Sequence, residues 1–598
     1  MINIEELTTT SPGAFGVNAS FSGRRWMLRD ADDETVRNLA RSANISGVLA
    51  RVLASRGVQQ DEIADLIDPT LKRLLPEPYR LKDMEKAVAR TLAAIDRGER
   101  IAVFGDYDVD GSASAALLSD FLASIGRRPR VYIPDRLTEG YGPSARALLQ
   151  LQAEGAGLVI TADCGAAATA ALDAARAAHL DVIVIDHHAV ETAPPAFAHV
   201  NPNQPGDDSA LGHLCAAAVA FLFLVALNRA LRERGWYRAQ GMEEPDLRAG
   251  LDLVGLATVC DVVPLVGVNR AFVRSGLARI AAAVPRPGLA ALASIAGASA
   301  PFTPYHLGFV FGPRINAGGR VGRCSLGAEL LTAVNLAEAE PLARALDTHN
   351  RERQAIEAII LEEATAIAEA AGNAPFLLVA GEGWHSGVVG IVAGRLKERF
   401  GKPAFVAGLE GGMGRGSARS VAGIDVGAAV RAARKAGLLE AGGGHAMAAG
   451  FSLTDAQLEG FRAFLERWFA SRNVAGMSTQ MMLDVAISAA GAAQALVEDL
   501  ARIGPFGAGN PEPVCAALDV AVTFADVVGN NHVRVRLAGA DGGRLDAIAF
   551  RAADTPLGLA LLKARGRRIH AAGYLRADSW NGKTRVQLQI EDAAPAGI

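Results

Sequence analysis

Three β-like apolar runs in this chain each end in charge. Residues 101–104 lead into Gly105-Asp106-Tyr107-Asp108-Val109-Asp110-Gly111, residues 158–160 into Thr161-Ala162-Asp163-Cys164-Gly165, and residues 182–185 into Asp186-His187-His188. Ala-rich helical stretches separate them. Such alternation specifies βαβ units and a mostly parallel sheet. An open sheet of this kind gathers its functional groups at the carboxyl ends of its strands, so the three acidic runs are expected on one edge.

A chain of 598 residues is too long for one core, and several domains are expected. Half of the residues are apolar and few are aromatic, as suits an α/β protein rich in Ala and Gly. The net charge of -4 and pI near 6.3 mean that any basic surface must be local. This weighs more against a duplex-coating protein than against an enzyme with a narrow channel. Five dispersed cysteines without a CxxC pair argue against a disulfide framework and a structural zinc site, and a reduced, cytoplasmic setting is expected. The first residues lack a basic-then-apolar signal pattern. The longest apolar run, 214–227, is shorter than the ~20 residues that span a bilayer, so it reads as a core helix with no membrane role.

The expected fold is multidomain α/β. Residues 1–75 form a mixed, partly helical lead, and 76–335 the parallel-sheet domain. Residues 336–372 form the connecting segment, whose helix is expected from Pro341, in its first turn, to about Ala371 with Gly372 as its stop, a spacer about 45 Å long. Residues 373–475 make a second α/β domain. In 476–598, five short β-like runs with one helical insertion near 557–563 resemble a small closed barrel of OB type.

Asp108 and Asp110 sit two apart in a Gly-bounded loop and can face one cleft; Asp163, His187 and Asp261, the last in Thr258-Val-Cys-Asp-Val-Val-Pro264, join them. Four converging carboxylates repel unless cations neutralise them. One bridging aspartate with ligands on each side builds a two-ion clamp with ~3.5–4 Å between metals, suited to attack on a phosphate ester. Oxygen-dominated ligation with one imidazole favours Mn²⁺, with Mg²⁺ next and zinc behind. Singly, an Asp-x-Asp more often caps a turn and a His-His more often packs. The weight lies in their joint occurrence.

These motifs resemble the DHH phosphoesterase superfamily, together with residues 312–317 (Gly-Pro-Arg-Ile-Asn-Ala), Trp384-His-Ser-Gly-Val388 and 442–450. The match runs from about residue 45 onward and is nearest to the branch of single-strand-specific 5′→3′ DNA exonucleases. The resemblance implies that Asp108, Asp110, Asp163, His187 and Asp261 hold two Mn²⁺ or Mg²⁺ ions per active site, with Asp163 bridging. His188 would contact the scissile phosphate, while Asp106 and Asp186 orient the ligands. Residues 373–475 would be the DHH-associated domain, its loop at Gly442, Gly443, Gly444 and His445 closing over the substrate. Ser417 and Arg419 would hold a 5′-terminal phosphate. Arg314, Asn316 and Arg320 belong to a substrate-binding stretch whose guanidinium forks suit phosphates. Many relatives continue that stretch with acidic residues, whereas Gly322-Arg323 follow Val321 here, leaving the charge beside Arg320 open.

In the barrel, Lys563-Ala-Arg-Gly-Arg-Arg568 is the densest basic run; Arg534, Arg536 and Arg585 add charge, and Tyr574, Trp580 and His532 are candidates for base stacking. Tyr141 reads as a stacking residue or as core. The expected activity is processive hydrolysis of single-stranded DNA from a 5′ end through a channel between two domains set apart by the long helix. The resemblance adds a monomer serving repair and recombination beside single-strand-binding protein and repair helicases. Two rivals are a phosphodiesterase for very short or cyclic dinucleotides, which would lack the barrel, and an inert scaffold, which would have lost its ligands.

Overall fold

The apolar runs are strands. In the computed structural model, which describes residues 12–136, 138–370, 372, 374–471, 480–580 and 583–596, β1 (Arg100–Gly105), β2 (Arg130–Tyr132), β3 (Ala156–Ala162), β4 (Asp181–Ile185) and β5 (Ala198–Val200) form one sheet. Their order is β2-β1-β3-β4-β5 and every pairing is parallel. Ile101, Val103, Val159, Ile160, Ile183 and Val184 are all buried, as a sheet covered on both faces requires. The chain steps from β1 outward to β2 and returns to lay β3 on the other side of β1. That reversal opens a crevice beyond the carboxyl ends of β1 and β3, where Asp106 and Asp163 lie.

The chain divides into two compact units, one of residues 76–264 with 272–476 and the other of 1–75 with 265–271 and 477–598. The first unit holds this sheet and a second, made of β6 (Leu377–Glu382), β7 (Ala404–Glu410), β8 (Met413–Arg419), β9 (Ala441–His445) and β10 (Ala448–Thr454). The order is β9-β10-β8-β7-β6, with only β6 and β7 parallel. Phe376, Phe405, Phe451, Phe461 and Phe469 fill its core. The segment expected to be a closing loop, 442–445, is instead part of the edge strand β9. An antiparallel partner, β10, starts three residues later and satisfies its backbone.

The long helix runs from Leu336 to Ala370, about 52 Å at 1.5 Å per residue. It starts five residues before the expected Pro341 because the Asn335 side chain accepts from Glu338 N (2.9 Å) and returns a bond to the Glu338 carboxylate. It is no bare spacer. Ala339, Ala343 and Leu346 are buried, and further along Ile360, Ala364 and Ala368 share a core with Leu377, Trp384 and Val392.

In the other unit, Cys515–Val528, His532–Ala538, Arg544–Ala549, Arg568–Trp580 and Lys583–Pro595 close a barrel, the first strand pairing with both the second and the fourth. The lead packs into it. Helices Asp33–Ser42 and Gly47–Ser55 place Val36, Leu39, Leu49 and Leu53 in one core with Val520, Val535 and Leu561. Strand Arg25–Leu28 pairs in parallel with Gln480–Leu483, and the buried Trp26 donates to Asp592 (3.0 Å). No described helix is long and apolar enough to cross a membrane.

Candidate metal centre

The turn after β1 tightens directly into helix α1 (Val109–Ser124). Asp108 is its N-cap, accepting from Gly111 N (3.0 Å), so Asp110 already lies in the first helical turn rather than in a free loop. A side chain at residue 111 would lie 2.6 Å from the Asp106 Cα; glycine lets the helix start press on the strand end. Asp110 accepts Ala216 N (2.7 Å) and Ala217 N (2.8 Å), the first amides of α2 (Ala216–Glu233), whose positive end suits a carboxylate. Asp163 is held at φ +61°, a strained conformation of the sort that clusters at functional sites. Its amide donates to Ile185 O (3.0 Å), and its carbonyl receives the Tyr141 hydroxyl (2.9 Å). Asp261 arrives from the C-terminus of α3 (Leu251–Cys260), not from a strand end.

These groups meet. His187 Nε2 lies 3.5 Å from Asp163 Oδ1, 3.6 Å from Asp261 Oδ2 and 3.9 Å from Asp110 Oδ2. Three sets of donor atoms each fall within 4.8 Å: Asp110–His187–Asp261, Asp163–His187–His188 and Asp106–Asp108–Asp163. Asp106, expected behind the ligands, is thus within their reach. Asp106 Oδ1, Asp163 Oδ1, His187 Nε2 and Asp261 Oδ2 are buried with no hydrogen-bond partner among the described residues, an arrangement that is costly unless a cation sits between them.

The electrostatics agree with a cation site. Burial, then the neighbouring Asp108, pushes Asp106 up to about 8 and Asp110 up to about 7. Burial and Asp110 push Asp261 up to about 8, and Asp163 rises well above the carboxylate range for the same reasons. His187 is pressed down to about 4 by burial and by His188, so it is neutral, with a backbone hydrogen bond to Leu214 fixing its ring. Its free Nε2 lone pair therefore faces carboxylate oxygens. The donor set, oxygen with one or two imidazole nitrogens, fits Mn²⁺ or Mg²⁺.

Asp186 organises the other histidine. Its Oδ1 accepts His187 N (2.7 Å), His188 N (3.2 Å) and His188 Nδ1 (2.7 Å), while Oδ2 accepts Ala166 N (3.0 Å). Burial opposes a charge on His188, but the Asp186 hydrogen bond and charge outweigh it and raise His188 to about 9. Its side chain is half exposed, which presents an imidazolium to the cleft. Tyr141 lies 3.3 Å from His188 Nδ1 through its hydroxyl and is half exposed, which overturns the core reading and leaves its ring beside the cleft.

A cationic cluster faces this centre. Asn316 Oδ1 accepts Val109 N (3.0 Å), which joins helix α4 (Gly312–Val321) to the Asp108–Asp110 turn. Arg320 donates to Gly387 O (2.7 Å); burial, then Arg136, Arg353 and Arg419, lower it to about 10. Arg320 thus lies under the charge of three other guanidiniums, of which Arg353 is already paired with Glu357 (2.6 Å), and a phosphate suits such a fork. Sequence reasoning missed Arg136, whose guanidinium lies over the Tyr107 ring (5.2 Å), and Arg353, which is buried on the long helix against Glu357 and Asn350. Neither stands in a motif. Arg314, expected to grip phosphate, is instead committed to Asp347 (3.0 Å) and Val310 O (2.8 Å). Arg323 pairs with Glu329 (2.7 Å), and Gly322 leaves room for the His349 ring, so the departure adds no free charge beside Arg320.

Ser417 and Arg419 come together, with Arg419 Nη1 donating to Ser417 Oγ (2.7 Å). Cross-strand registry through β10 aligns Ser417 with Gly450 and Gly443, and Arg419 with Ala448 and His445. The two halves of the expected phosphate pocket therefore share one sheet. At Gly444, φ is +144° and a Cβ would lie 2.4 Å from Ala448 O, so only glycine fits. In the barrel, Arg536 and Arg565 lie over the Phe524 ring at 5.5 and 5.6 Å, and His532 contacts the exposed Phe550 (5.1 Å). Phe524 and Phe550 were not singled out from the sequence. Arg568 is bound to Asp519 and Arg576 covers Tyr574 (5.9 Å). Arg534 is half-buried and Arg585 exposed. The side chain of Trp580 lies outside the described residues.

Comparison with known proteins agrees with this architecture. Residues 100–257 match the DHH family, N-terminal domain, residues 373–471 the DHHA1 domain, and residues 483–592 the RecJ OB domain. Fold and site thus define a DHH-type metalloprotein. The "Single-stranded-DNA-specific exonuclease RecJ" of Dickeya dadantii (strain 3937) is 36% identical, over 92% of this chain and 96% of that protein. Its namesake in Escherichia coli (strain K12) is 35% identical over 92% and 96%. A crystal structure of RecJ in complex with Mn²⁺ from Thermus thermophilus superposes with a TM-score of 0.79 at 30% identity, covering 95% of this chain and 79% of that one. The chain belongs to the RecJ family.

Proposed function

We propose that this protein is a metal-dependent exonuclease specific for single-stranded DNA, which hydrolyses phosphodiester bonds from the 5′ end in DNA repair and recombination. The observation that carries the reading is the meeting of unpartnered Asp163, His187 and Asp261 atoms in one buried site. Asp108, Asp110, Asp163, His187 and Asp261 would hold two Mn²⁺ or Mg²⁺ ions, with Asp163 shared. Bound there, such ions polarise the phosphodiester and make water a stronger nucleophile at neutral pH.

The remaining groups bind and orient. Asp186 fixes the His188 ring and keeps it cationic, so that its exposed edge can take charge from the scissile phosphate. Arg320 and Arg136 hold backbone phosphates, while Ser417, Arg419, Gly443, Gly444 and His445 form the seat of the 5′-terminal phosphate. The barrel supplies Phe524 and Phe550 with flanking arginines as a further contact for single-stranded DNA. Single-strand-binding protein and repair helicases are the partners this role calls for, with the chain acting as a monomer.

End-labelled oligonucleotides test the reading. A 5′-phosphorylated strand should be shortened in Mn²⁺, a 3′ block should not matter, blunt duplex should resist, and chelator should abolish cleavage. Duplex cut as fast as single strand, or full protection by a 3′ block, would overturn specificity or polarity respectively.

A further inference from the structure

The metal centre has a neighbour that this mechanism leaves unused. Directly before α4, residues His306–Phe311 form a π-helical turn, a distortion frequent at functional sites. Its inner side is pinned beside a metal-site residue. Cys260, adjacent to Asp261 in the chain, donates from Sγ to Leu307 O (3.3 Å). A Cβ on Gly308 would meet Val259 at 3.3 Å, and one on Gly312 would strike Cys260 Sγ at 2.6 Å. Leu307 and Phe311 are wholly buried on that side.

The outer side carries Tyr305 and Phe309, four residues apart, 63% and 70% exposed, with their rings stacked at 5.3 Å and 20°. Single exposed apolar residues are ordinary. A stacked aromatic pair on a π turn bolted to the residue before Asp261 is a built surface. Just past Asp261, Val262 is also 69% exposed and held at φ +60°, which a β-branched residue rarely adopts.

The same helical path continues into α4, which holds the Asp108–Asp110 turn through Asn316 and ends at Arg320 in the arginine cluster. Tyr305 and Arg320 are fifteen residues apart, roughly 23 Å along the axis. One helical path therefore passes the metal centre with aromatic rings at one end and phosphate-binding charge at the other.

The geometry points to Tyr305 and Phe309 as a stacking platform for bases on the 3′ side of the scissile bond. This rests on the proposed function, in which the 5′-terminal phosphate sits by Arg419, at the Arg320 end of the path. A strand fixed there runs past the metal centre toward the rings. Open ring faces accept every base alike, which suits digestion without sequence preference.

The test uses the full chain carrying Tyr305→Leu and Phe309→Leu together, which keeps apolar bulk at exposed positions but removes the rings, and separately Phe309→Trp, which enlarges the face. Substrates are 5′-phosphorylated single strands of graded length, down to the dinucleotide. Losing the platform should raise KM on long strands roughly tenfold with kcat little changed. Phe309→Trp should match or lower the wild-type KM, and the dinucleotide should be cleaved by the Leu variant as by wild type. Unchanged KM on long strands overturns the inference, and so does an equal loss on the dinucleotide, which would mean a deformed metal centre. Failure of the underlying function is separately visible, as wild-type protein that leaves single strands intact in Mn²⁺ or shortens them from the 3′ end.

Discussion

The metal centre and the β8–β9 surface handle charge in opposite ways. At the centre, Asp110, Asp163 and Asp186 are each 3% exposed or less, and the Asp110 and Asp186 carboxylates are held by backbone amides. On the β8–β9 surface His445 is exposed and Gly443 has open space around it. Like charges held at fixed spacing in a dry site need a rigid cage, because any relaxation lets them part. A polymer end that must arrive and depart needs accessible groups with room to move. On the proposed function, rigidity falls where a bond breaks and looseness where the strand travels.

Breaking the cage should cost most. Asp163→Ala is expected to lower kcat by at least about a thousandfold in Mn²⁺, while the metal-free melting temperature holds or rises because a repelling carboxylate is gone; single-turnover cleavage and calorimetry check both. Next comes the cage's support. Asp186→Asn should cost roughly 10- to 100-fold in rate and drop His188 from about 9 toward its ordinary value, which NMR titration of the ring reads directly.

The loose surface should respond more mildly and selectively. Arg419→Ala is expected to raise KM roughly tenfold for 5′-phosphorylated strands and to leave 5′-hydroxyl strands nearly unaffected. Equal losses on both would remove Arg419 from the terminal phosphate. The smallest effect is on stability. Asp106, Asp110 and Asp261 release protons between about 7 and 8 in the metal-free fold but near 4 when unfolded. The folded chain then binds more protons across that window and loses stability as pH climbs. His188 acts in the same direction, and His187, lowered to about 4, opposes it only below 6.5. In chelator, the melting temperature should therefore fall from pH 6.5 to 8, and added Mn²⁺ should restore more at pH 8 than at pH 6.5. A flat profile would argue against the buried, uncompensated cluster.

Much of the site was legible because strand ends announce themselves: an apolar run followed by Asp or His fixes both position and chemistry, as at Asp163 and His187. Asp261 was legible by motif, although its backbone setting, a helix end, was not. Arg136 and Arg353 were hidden because a lone arginine becomes informative only beside the others that tertiary packing brings to it. Arg314 misled for the converse reason, since its partner Asp347 lies thirty-three residues away on another helix. The strand at 441–445 was obscured by its glycines, which read as a turn until a pairing partner is known.

The parallel pairing of Arg25–Leu28 with Gln480–Leu483 ties the beginning of the chain to its last domain. During synthesis, residues such as Leu49 and Leu53 emerge long before the strands that shelter them, and must wait for nearly the whole polypeptide. Trimming away the C-terminal barrel therefore does more than remove the nucleic-acid grip proposed for it. It uncovers the greasy side of the two lead helices, so a shortened protein should be engineered by removing both ends together.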